Sequence, residues 1–121
     1  MKILVVDDDP GMLLIALIAL EELGGFEVLQ AKGGAEALDC AKRERPDAIL
    51  MDLVLPDLDG CEVLEKLRAT KETGRIPVIF HTAKTDPGDV RKLLALGAKG
   101  VIGKPFDPMR LGAEIERILE S

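Results

Sequence analysis

Short apolar runs alternate along the chain with longer segments in which apolar residues recur every three or four positions. Short apolar runs bounded by turn-forming residues are typical of strands buried on both faces of a parallel sheet. Apolar residues at helical spacing, with polar residues between them, predict helices that cover such a sheet. The alternation therefore predicts an α/β domain.

The pattern predicts five strand–helix units in sequence order. Pro and Gly mark most of the boundaries, because neither residue readily continues a helix. Strands that alternate with helices favour a parallel sheet with right-handed crossovers and helices on both faces. The predicted strands are residues 2–6, 26–30, the run 48–51 that leads to Asp52, 76–81 and 100–103; the predicted helices are 10–23, 35–45, 61–69, 87–96 and 108–119.

Length and composition predict one domain that spans residues 1–121. Of the 121 residues, 47% are apolar and 31% are charged, as expected for a chain that folds around a single core. The net charge of −6 argues against direct contact with nucleic acid, because phosphate binding needs clustered Lys and Arg. The longest uncharged stretch, residues 10–20, is too short to cross a bilayer, so no membrane contact is expected.

The cysteines and the N-terminus predict a cytoplasmic protein. Cys40 and Cys61 lie in predicted helices without CxxC or His-rich spacing, which favours free thiols in a reducing compartment over a disulfide. The apolar run after Lys2 is too short for a secretory signal and lacks a cleavage site. The sequence ends just past the last predicted helix, so a stand-alone protein and one domain of a longer protein both stay open.

The first predicted helix differs from the others because residues 12–20 contain no polar side chain. A helix that covers a sheet normally has a charged outer face. Leu14 and Leu17 are expected to point outward, with Leu13 beside them. Two interpretations stay open: surface leucines that are simply tolerated, or a contact surface for a partner or for a second copy in a homodimer. The residues expected to face the sheet are Met12, Ile15, Ala16, Ala19 and Leu23.

Side chains suited to chemistry follow four of the predicted strands. They are Asp7 and Asp8, Asp52, Thr82 and Lys104. The carboxyl ends of parallel strands meet at one edge of a sheet, so these residues are expected to lie together. Three carboxylates in one place repel one another unless a cation offsets them, and oxygen ligands without His or Cys favour Mg²⁺. A nucleophilic carboxylate, a metal, an ammonium group and a hydroxyl are the components of phosphoryl transfer.

At these positions the chain resembles the receiver domain of bacterial two-component response regulators. The resemblance covers the whole length and implies a flavodoxin-like doubly wound (βα)5 fold, with strand order 2-1-3-4-5 and helices on both faces. Each motif that carries it is weak alone, but together they occur in order at predicted strand ends. They are VVDDDP at 5–10, DLVLP at 52–56, HTA at 81–83 and KPF at 104–106.

The resemblance also implies a phosphoacceptor and a metal site. Asp52 is expected to take a phosphoryl group from the phosphohistidine of a sensor histidine kinase or a phosphotransfer protein. The chain is expected to assist its own phosphorylation and dephosphorylation and to signal by changed protein contacts, without otherwise being an enzyme. Asp7 and Asp8 are expected to hold Mg²⁺ together with Asp52 and the backbone carbonyl of Val54.

Two further site residues follow from the same resemblance. Lys104 is expected to pair with the phosphoryl group, and Thr82 to hydrogen-bond it. The Lys104–Pro105 peptide is a candidate cis bond. Asp9, which precedes Pro10, is expected to cap the first helix instead of binding the metal. His81, the only histidine, is given no role.

Two positions depart from the family pattern or vary within it. Many receivers carry Tyr or Phe where this chain has Val101, so the usual aromatic switch is missing. Val54 occupies a position at which receivers of the family differ, and the residue there affects the lifetime of the phosphoryl group. The apolar side chain of Val54 offers no hydrogen bond to an attacking water. Slow autodephosphorylation is therefore expected. Kinases of the family commonly dock near the first helix, which is one use for its apolar outer face.

Two other functions stay open at this point. Residues 57–60 match the DxDG motif of haloacid-dehalogenase-type phosphatases, but they follow Pro56 in a predicted loop and Cys61 stands where Thr is expected. A receiver-like binding module that signals without phosphorylation would keep the fold and lose the chemistry. Turnover of a phosphomonoester, one stable phosphate per chain, or no phosphate at all would distinguish the three.

Overall fold

Five parallel strands form the centre of the computed structural model, which describes residues 1–121. They are β1 (Lys2–Val6), β2 (Glu27–Ala31), β3 (Ala48–Asp52), β4 (Val78–Thr82) and β5 (Gly100–Gly103). Their order in the sheet is β2-β1-β3-β4-β5, with every pairing parallel. The predicted flavodoxin-like order is confirmed.

Five helices connect these strands. They are α1 (Pro10–Leu17, continued by a π-helical turn at Ile18–Glu22), α2 (Gly34–Glu44), α3 (Gly60–Ala69), α4 (Pro87–Ala95) and α5 (Leu111–Glu120). The last helix starts three residues later than predicted. Asp107 caps a separate turn before it: its Oδ1 accepts from the Met109 N–H (2.9 Å) and its carbonyl from the Leu111 N–H (3.0 Å). None of the helices combines the length and apolar character that a membrane span requires.

The central strand β3 is buried along its whole length because helices cover both of its faces. Ile49 and Met51 belong to a core of 17 buried residues on one side of the sheet. Ala48 and Leu50 belong to a second core of 13 buried residues on the other side. Successive side chains of a strand point to opposite faces, so a strand between two cores must be apolar at every position. Asp52 ends that apolar run.

The face that α1 turns toward the sheet differs from the prediction. Leu13 is 4% exposed and packs in the second core, whereas Ile15 is 44% and Leu23 is 54% exposed. The sequence-based assignment of Leu13 to the outer side, and of Ile15 and Leu23 to the sheet, is therefore wrong. An uninterrupted apolar run has no periodicity, so nothing in it selects the inner face. Leu14, at 57% exposed, does point outward.

The π-helical turn explains the position of the residues that follow. The Leu23 N–H donates to the carbonyl of Ile18, five residues back, at 3.2 Å. The wider turn changes the register after α1. Ala19 and Leu20 continue the buried face of Leu13 and Ala16, and the wider turn leaves Leu23 outside the core.

Candidate functional site

The carboxyl edge of the sheet brings the predicted site residues to four neighbouring strand ends. Asp7 follows β1 and is 3% exposed, and Asp52 ends β3 and is also buried. Thr82 ends β4, one residue past His81, which is the register partner of Asp52. Lys104 follows β5, and its backbone N–H donates to the carbonyl of Thr82 at 2.9 Å. Strand order therefore brings together residues that are far apart in sequence.

Three carboxylates form a cluster at the centre of this edge. Asp7, Asp8 and Asp52 each offer an oxygen, and these atoms all lie within 4.8 Å of one another. The fourth nearby acid, Asp9, is occupied elsewhere, because its Oδ1 accepts from the Gly11 N–H (2.9 Å) as the cap of α1. That assignment of Asp9 is confirmed. The cluster supplies only hard oxygen donors, which fit Mg²⁺.

Both carboxylate oxygens of Asp52 have a partner. Lys104 Nζ lies 2.8 Å from Oδ2 of Asp52, and the Val54 N–H donates to Oδ1 at 3.2 Å. The same ammonium group lies 3.9 Å from Oδ2 of Asp7. The Lys104–Pro105 peptide is cis, as the resemblance implies. Lys104 is thus the single cation placed between two buried carboxylates.

The electrostatics of the cluster leave an excess of negative charge. Burial raises the pKa of Asp7 above its usual value, and the nearby carboxylates of Asp52 and Asp8 raise it further. The Asp9 N–H, which donates to Oδ1 of Asp7 at 2.9 Å, and the Lys104 ammonium group lower this pKa in part. One ammonium group does not balance three acids. A divalent cation would remove the remaining repulsion and bind where the oxygens converge.

The β4 side of the site is less tightly bonded. Oγ1 of Thr82 accepts from the Lys84 N–H at 3.0 Å. Thr82 also lines a groove of about 300 Å³ together with Leu53, Val54 and Lys84. The side chain of Val54 is 75% exposed, so it is accessible to solvent beside Asp52.

His81 is a buried neighbour of the site that the sequence leaves without a role. It is 3% exposed, its Nε2 has no hydrogen-bond partner, and its ring lies 5.1 Å from that of Phe106. Burial lowers its pKa to about 4, and the nearby Lys104 lowers it in the same direction. The imidazole is therefore neutral near pH 7, consistent with a packing residue.

The acids of the DxDG motif are both engaged in capping helices. Asp59 Oδ1 accepts from the Cys61 N–H at 2.7 Å, and Glu62 completes a capping box at the start of α3. Asp57 bonds to the start of α2, where Oδ1 accepts from the Gly34 N–H at 2.7 Å. Neither carboxylate belongs to the cluster around Asp52. This geometry argues against a phosphatase nucleophile in the loop.

The bond between Asp57 and α2 is a contact that the sequence does not predict. Gly33 is a sequence signal for this contact. A glycine immediately before a helix has no side chain with which to cap it, so the capping group has to come from elsewhere. Val101, the position that departs from the family pattern, is half-buried on β5 and pairs in register with Phe80. It packs against the larger of the two cores.

Comparison with protein families gives a match to the response regulator receiver domain over residues 3–116. Among curated proteins, the alkaline phosphatase synthesis transcriptional regulatory protein PhoP of Bacillus subtilis is 41% identical, covering 98% of this chain and 48% of its own length. Protein PilH of Pseudomonas aeruginosa is 36% identical, covering 98% of this chain and 97% of its own. The chain spans about half the length of the first curated relatives it matches.

Solved structures show the same similarity. The chemotaxis response regulator CheY4 of Vibrio cholerae superposes with a TM-score of 0.89 at 32% identity, covering 97% of both chains. The receiver domain of the sensor histidine kinase PA1611 from Pseudomonas aeruginosa superposes with a TM-score of 0.86 at 35% identity, covering 99% of this chain and 98% of that one. That structure has a magnesium ion coordinated in the active site cleft.

Proposed function

The chain belongs to the receiver domain family of two-component response regulators, and from that premise we propose that Asp52 is its phosphoacceptor. One observation carries the assignment: Asp52 shares its oxygen cluster with Asp7 and Asp8, while Lys104 Nζ lies 2.8 Å from it. No other group of three His, Cys, Asp or Glu residues in the structure has this arrangement. We further propose that residues 1–121 act as one receiver domain.

The metal of this site is proposed to be Mg²⁺. Asp7, Asp8 and Asp52 would hold it with the backbone carbonyl of Val54, and water would fill the remaining positions. When bound, the ion would neutralise charge on the phosphoryl oxygens during transfer. The donor set supports this choice, because every ligand is an oxygen and the acids exceed the single nearby cation.

The protein groups contribute mainly position and charge. A carboxylate oxygen of Asp52 attacks the phosphorus of a phosphohistidine; the new O–P bond forms as the P–N bond breaks, and the imidazole leaves with the electron pair. The Lys104 ammonium group, now paired with Asp52, then pairs with a phosphoryl oxygen. The Thr82 hydroxyl hydrogen-bonds another such oxygen. In this way the chain assists its own phosphorylation, and later hydrolysis releases phosphate.

The test is incubation with acetyl phosphate, with and without Mg²⁺, followed by intact mass measurement. We expect one added phosphoryl group per chain that requires Mg²⁺ and is lost in Asp52→Asn. Asp86→Asn is the matched control, because Asp86 is exposed and its side chain makes no capping hydrogen bond. An unmodified wild-type chain would support the module that signals without phosphorylation. Turnover of a phosphomonoester would support the phosphatase.

The phosphoryl donor is proposed to be a sensor histidine kinase or a phosphotransfer protein, docked on the outer face of α1. Leu14 is exposed there and Leu17 is half-buried, but Leu13 is in the core and cannot contribute. The same face could instead join two copies of the chain. Leu14→Glu combined with Leu17→Glu is expected to slow phosphotransfer in the first case and to lower the mass in solution in the second.

A control for this surface is Leu94→Glu on α4, since Leu94 is 44% exposed, between Leu14 and Leu17 in exposure. A transfer rate and a solution mass that both stay at wild-type values in the α1 double variant would remove α1 from either role. A loss of transfer that Leu94→Glu reproduces would indicate a general effect of added negative charge.

A further inference from the structure

The loop between β3 and α3, residues 53–59, is closed at its base. The carbonyl of Leu53 accepts from the Gly60 N–H at 2.8 Å, and Val54 forms an isolated antiparallel bridge with Asp59. Val54 is therefore held at the point where the loop leaves the sheet. This loop supplies the carbonyl that we assign to the metal site, so its conformation bears directly on metal binding.

The tip of the same loop is bonded to a different helix. Asp57 Oδ1 accepts from the Gly34 N–H at 2.7 Å and Oδ2 accepts from the Ala35 N–H at 3.0 Å, both in the first turn of α2. These backbone N–H groups have no partner within their own helix. They also lower the pKa of Asp57, so the carboxylate is charged near pH 7. Hydrogen bonds to a charged acceptor are stronger than those between neutral groups.

The sequence at the start of α2 makes room for this contact. Gly33 is the N-cap residue and supplies no side-chain hydrogen bond of its own. A Cβ at Gly33 would lie 2.9 Å from Oδ1 of Asp57, and one at Gly34 would lie 2.8 Å from Cβ of Leu58. Two consecutive glycines thus let the loop tip approach the helix end. The acid that caps α2 comes from another element of the fold.

From this geometry we infer that Asp57 is a positioning residue for the metal site. It touches neither the metal position nor Asp52, but it fixes the far end of the loop that begins with the Val54 carbonyl. A loop bonded at base and tip has far fewer conformations than one bonded at the base alone. The ligand carbonyl is then oriented before the cation binds, which avoids an ordering cost on binding. This inference rests on the proposed function.

Two variants separate positioning of the loop from capping of the helix. Asp57→Ala removes both roles. Asp57→Ala combined with Gly33→Ser restores only the cap, because the three atoms nearest to a Cβ at Gly33 belong to the Asp57 side chain and Ser is a favoured N-cap residue. Glu116→Gln is the control for the loss of one negative charge, since the Glu116 side chain is exposed and forms no ion pair.

The main readout is Mg²⁺ affinity by isothermal titration calorimetry, at a temperature where all variants are folded. We expect about tenfold weaker binding in both Asp57 variants, as for other residues that orient metal ligands, while thermal stability recovers in the double variant. Wild-type affinity in Asp57→Ala would overturn the inference. So would a double variant in which affinity and stability return together, because capping would then explain both.

A second readout does not depend on the metal. Amide hydrogen exchange at Val54 and Gly60 is expected to be faster in both Asp57 variants and unchanged in Glu116→Gln. If wild-type protein binds no Mg²⁺, the proposed metal site fails and exchange alone tests the loop; unchanged exchange would then overturn the inference. If Asp57→Ala does not fold, the double variant carries both measurements.

Discussion

The two loops beside Asp52 are built in opposite ways. The β3–α3 loop is bonded at its base through Leu53 and Gly60 and at its tip through Asp57. The β4–α4 loop, residues 83–86, is exposed throughout. At its start, the Lys84 N–H donates a hydrogen bond to Oγ1 of Thr82. At its end, the side chain of Asp86 makes no capping hydrogen bond to α4.

This difference matches the role of each loop in the proposed chemistry. The metal ligands must be in place before a phosphoryl group arrives, which favours a fixed loop. Thr82 must respond to that group by exchanging its present contacts for a phosphoryl oxygen, which favours a loop with few bonds. A rigid side and an adaptable side thus meet at a single carboxylate.

The largest expected effect comes from glycine-to-alanine substitutions in the first turns of α3 and α4, the helices that follow the two loops. We expect a large loss of stability in α3 and none in α4. At Gly60 a new Cβ would lie 2.7 Å from the backbone carbonyl oxygen of Asp52. Backbone atoms cannot move aside as a flexible side chain can, so Gly60→Ala should lower the free energy of unfolding by about 3 kcal/mol. At Gly88 a Cβ would meet nothing within 4 Å, so Gly88→Ala should be neutral or stabilise by up to about 1 kcal/mol. Urea unfolding measures both.

Similar losses in the two glycine variants would contradict the comparison. They would mean that the β4–α4 side is packed as closely as the β3–α3 side. A Gly60→Ala chain of wild-type stability would mean that the base of the loop can shift after all.

The next effect is the pH dependence of stability that arises from His81 on β4, the strand that leads to the β4–α4 loop. The pKa of His81 is about 4 in the folded chain and an ordinary 6.5 in the unfolded chain. As the pH falls, the unfolded chain therefore binds the proton before the folded chain does. Stability is therefore lost as the pH falls from 6.5 to 4. Between pH 7 and pH 5 this loss is about 2 kcal/mol, from 1.36 kcal/mol per pKa unit. His81→Leu should remove that part of the pH dependence in urea unfolding.

Asp7 contributes with the opposite sign. Its pKa is raised above the ordinary 3.8 in the folded state, so the folded chain binds the proton first and gains stability as the pH falls from the folded-state pKa toward 3.8. The difference between His81→Leu and wild type isolates the histidine, since Asp7 is present in both. Parallel stability curves for the two proteins would contradict a neutral, buried His81.

A smaller effect is expected on phosphoryl lifetime. Val54 belongs to the fixed loop, yet its exposed side chain faces the groove shared with Thr82 and Lys84. An amide at this position could orient an attacking water, so Val54→Asn should shorten the acyl-phosphate lifetime by up to about tenfold, or about 1.4 kcal/mol in the barrier. Decay of the phosphorylated mass over time measures it, with Asp86→Asn as control. Equal decay rates in wild type and Val54→Asn would refute slow autodephosphorylation by this cause.

The smallest expected effect is on the exchange of backbone amides after phosphorylation. Phosphorylation should draw the Thr82 hydroxyl from Lys84, so the Lys84 amide should exchange about twofold faster, as the loss of a weak net hydrogen bond of about 0.5 kcal/mol implies. The Gly34 and Ala35 amides, held by Asp57, should not change. Equal changes at both loops would show that the distinction between rigid and adaptable sides is lost in the phosphorylated state.

Much of the fold follows from the sequence because strands buried on both faces are apolar at every position. The run before Asp52 is such a strand, and the strand boundaries at residues 2–6 and 100–103 coincide with those of β1 and β5. The grouping of the site residues follows in turn, since parallel strands place their carboxyl ends at one edge. To predict this grouping, it is enough to know that each residue lies at the end of its strand.

The features that the sequence does not predict depend on contacts between distant elements or on an absent pattern. The inner face of α1 is one, because an all-apolar helix has no polar side to exclude. The π-helical turn at Ile18–Glu22 is another, since no single residue type marks it. The Asp57 contact with α2 joins residues 23 apart in sequence, so a local motif search assigns the acid to DxDG instead.

The division of β3 between two cores bears on how such a chain changes over evolutionary time. Leu50 and Met51 are adjacent in sequence, yet their side chains pack in separate cores. Met51 and Phe80, by contrast, are register partners within the same core. Substitutions that share no packing neighbours combine nearly additively, whereas neighbours in contact do not. One helical layer can therefore drift to suit a new partner while the opposite layer, and the acid at the end of the strand between them, stay as they are.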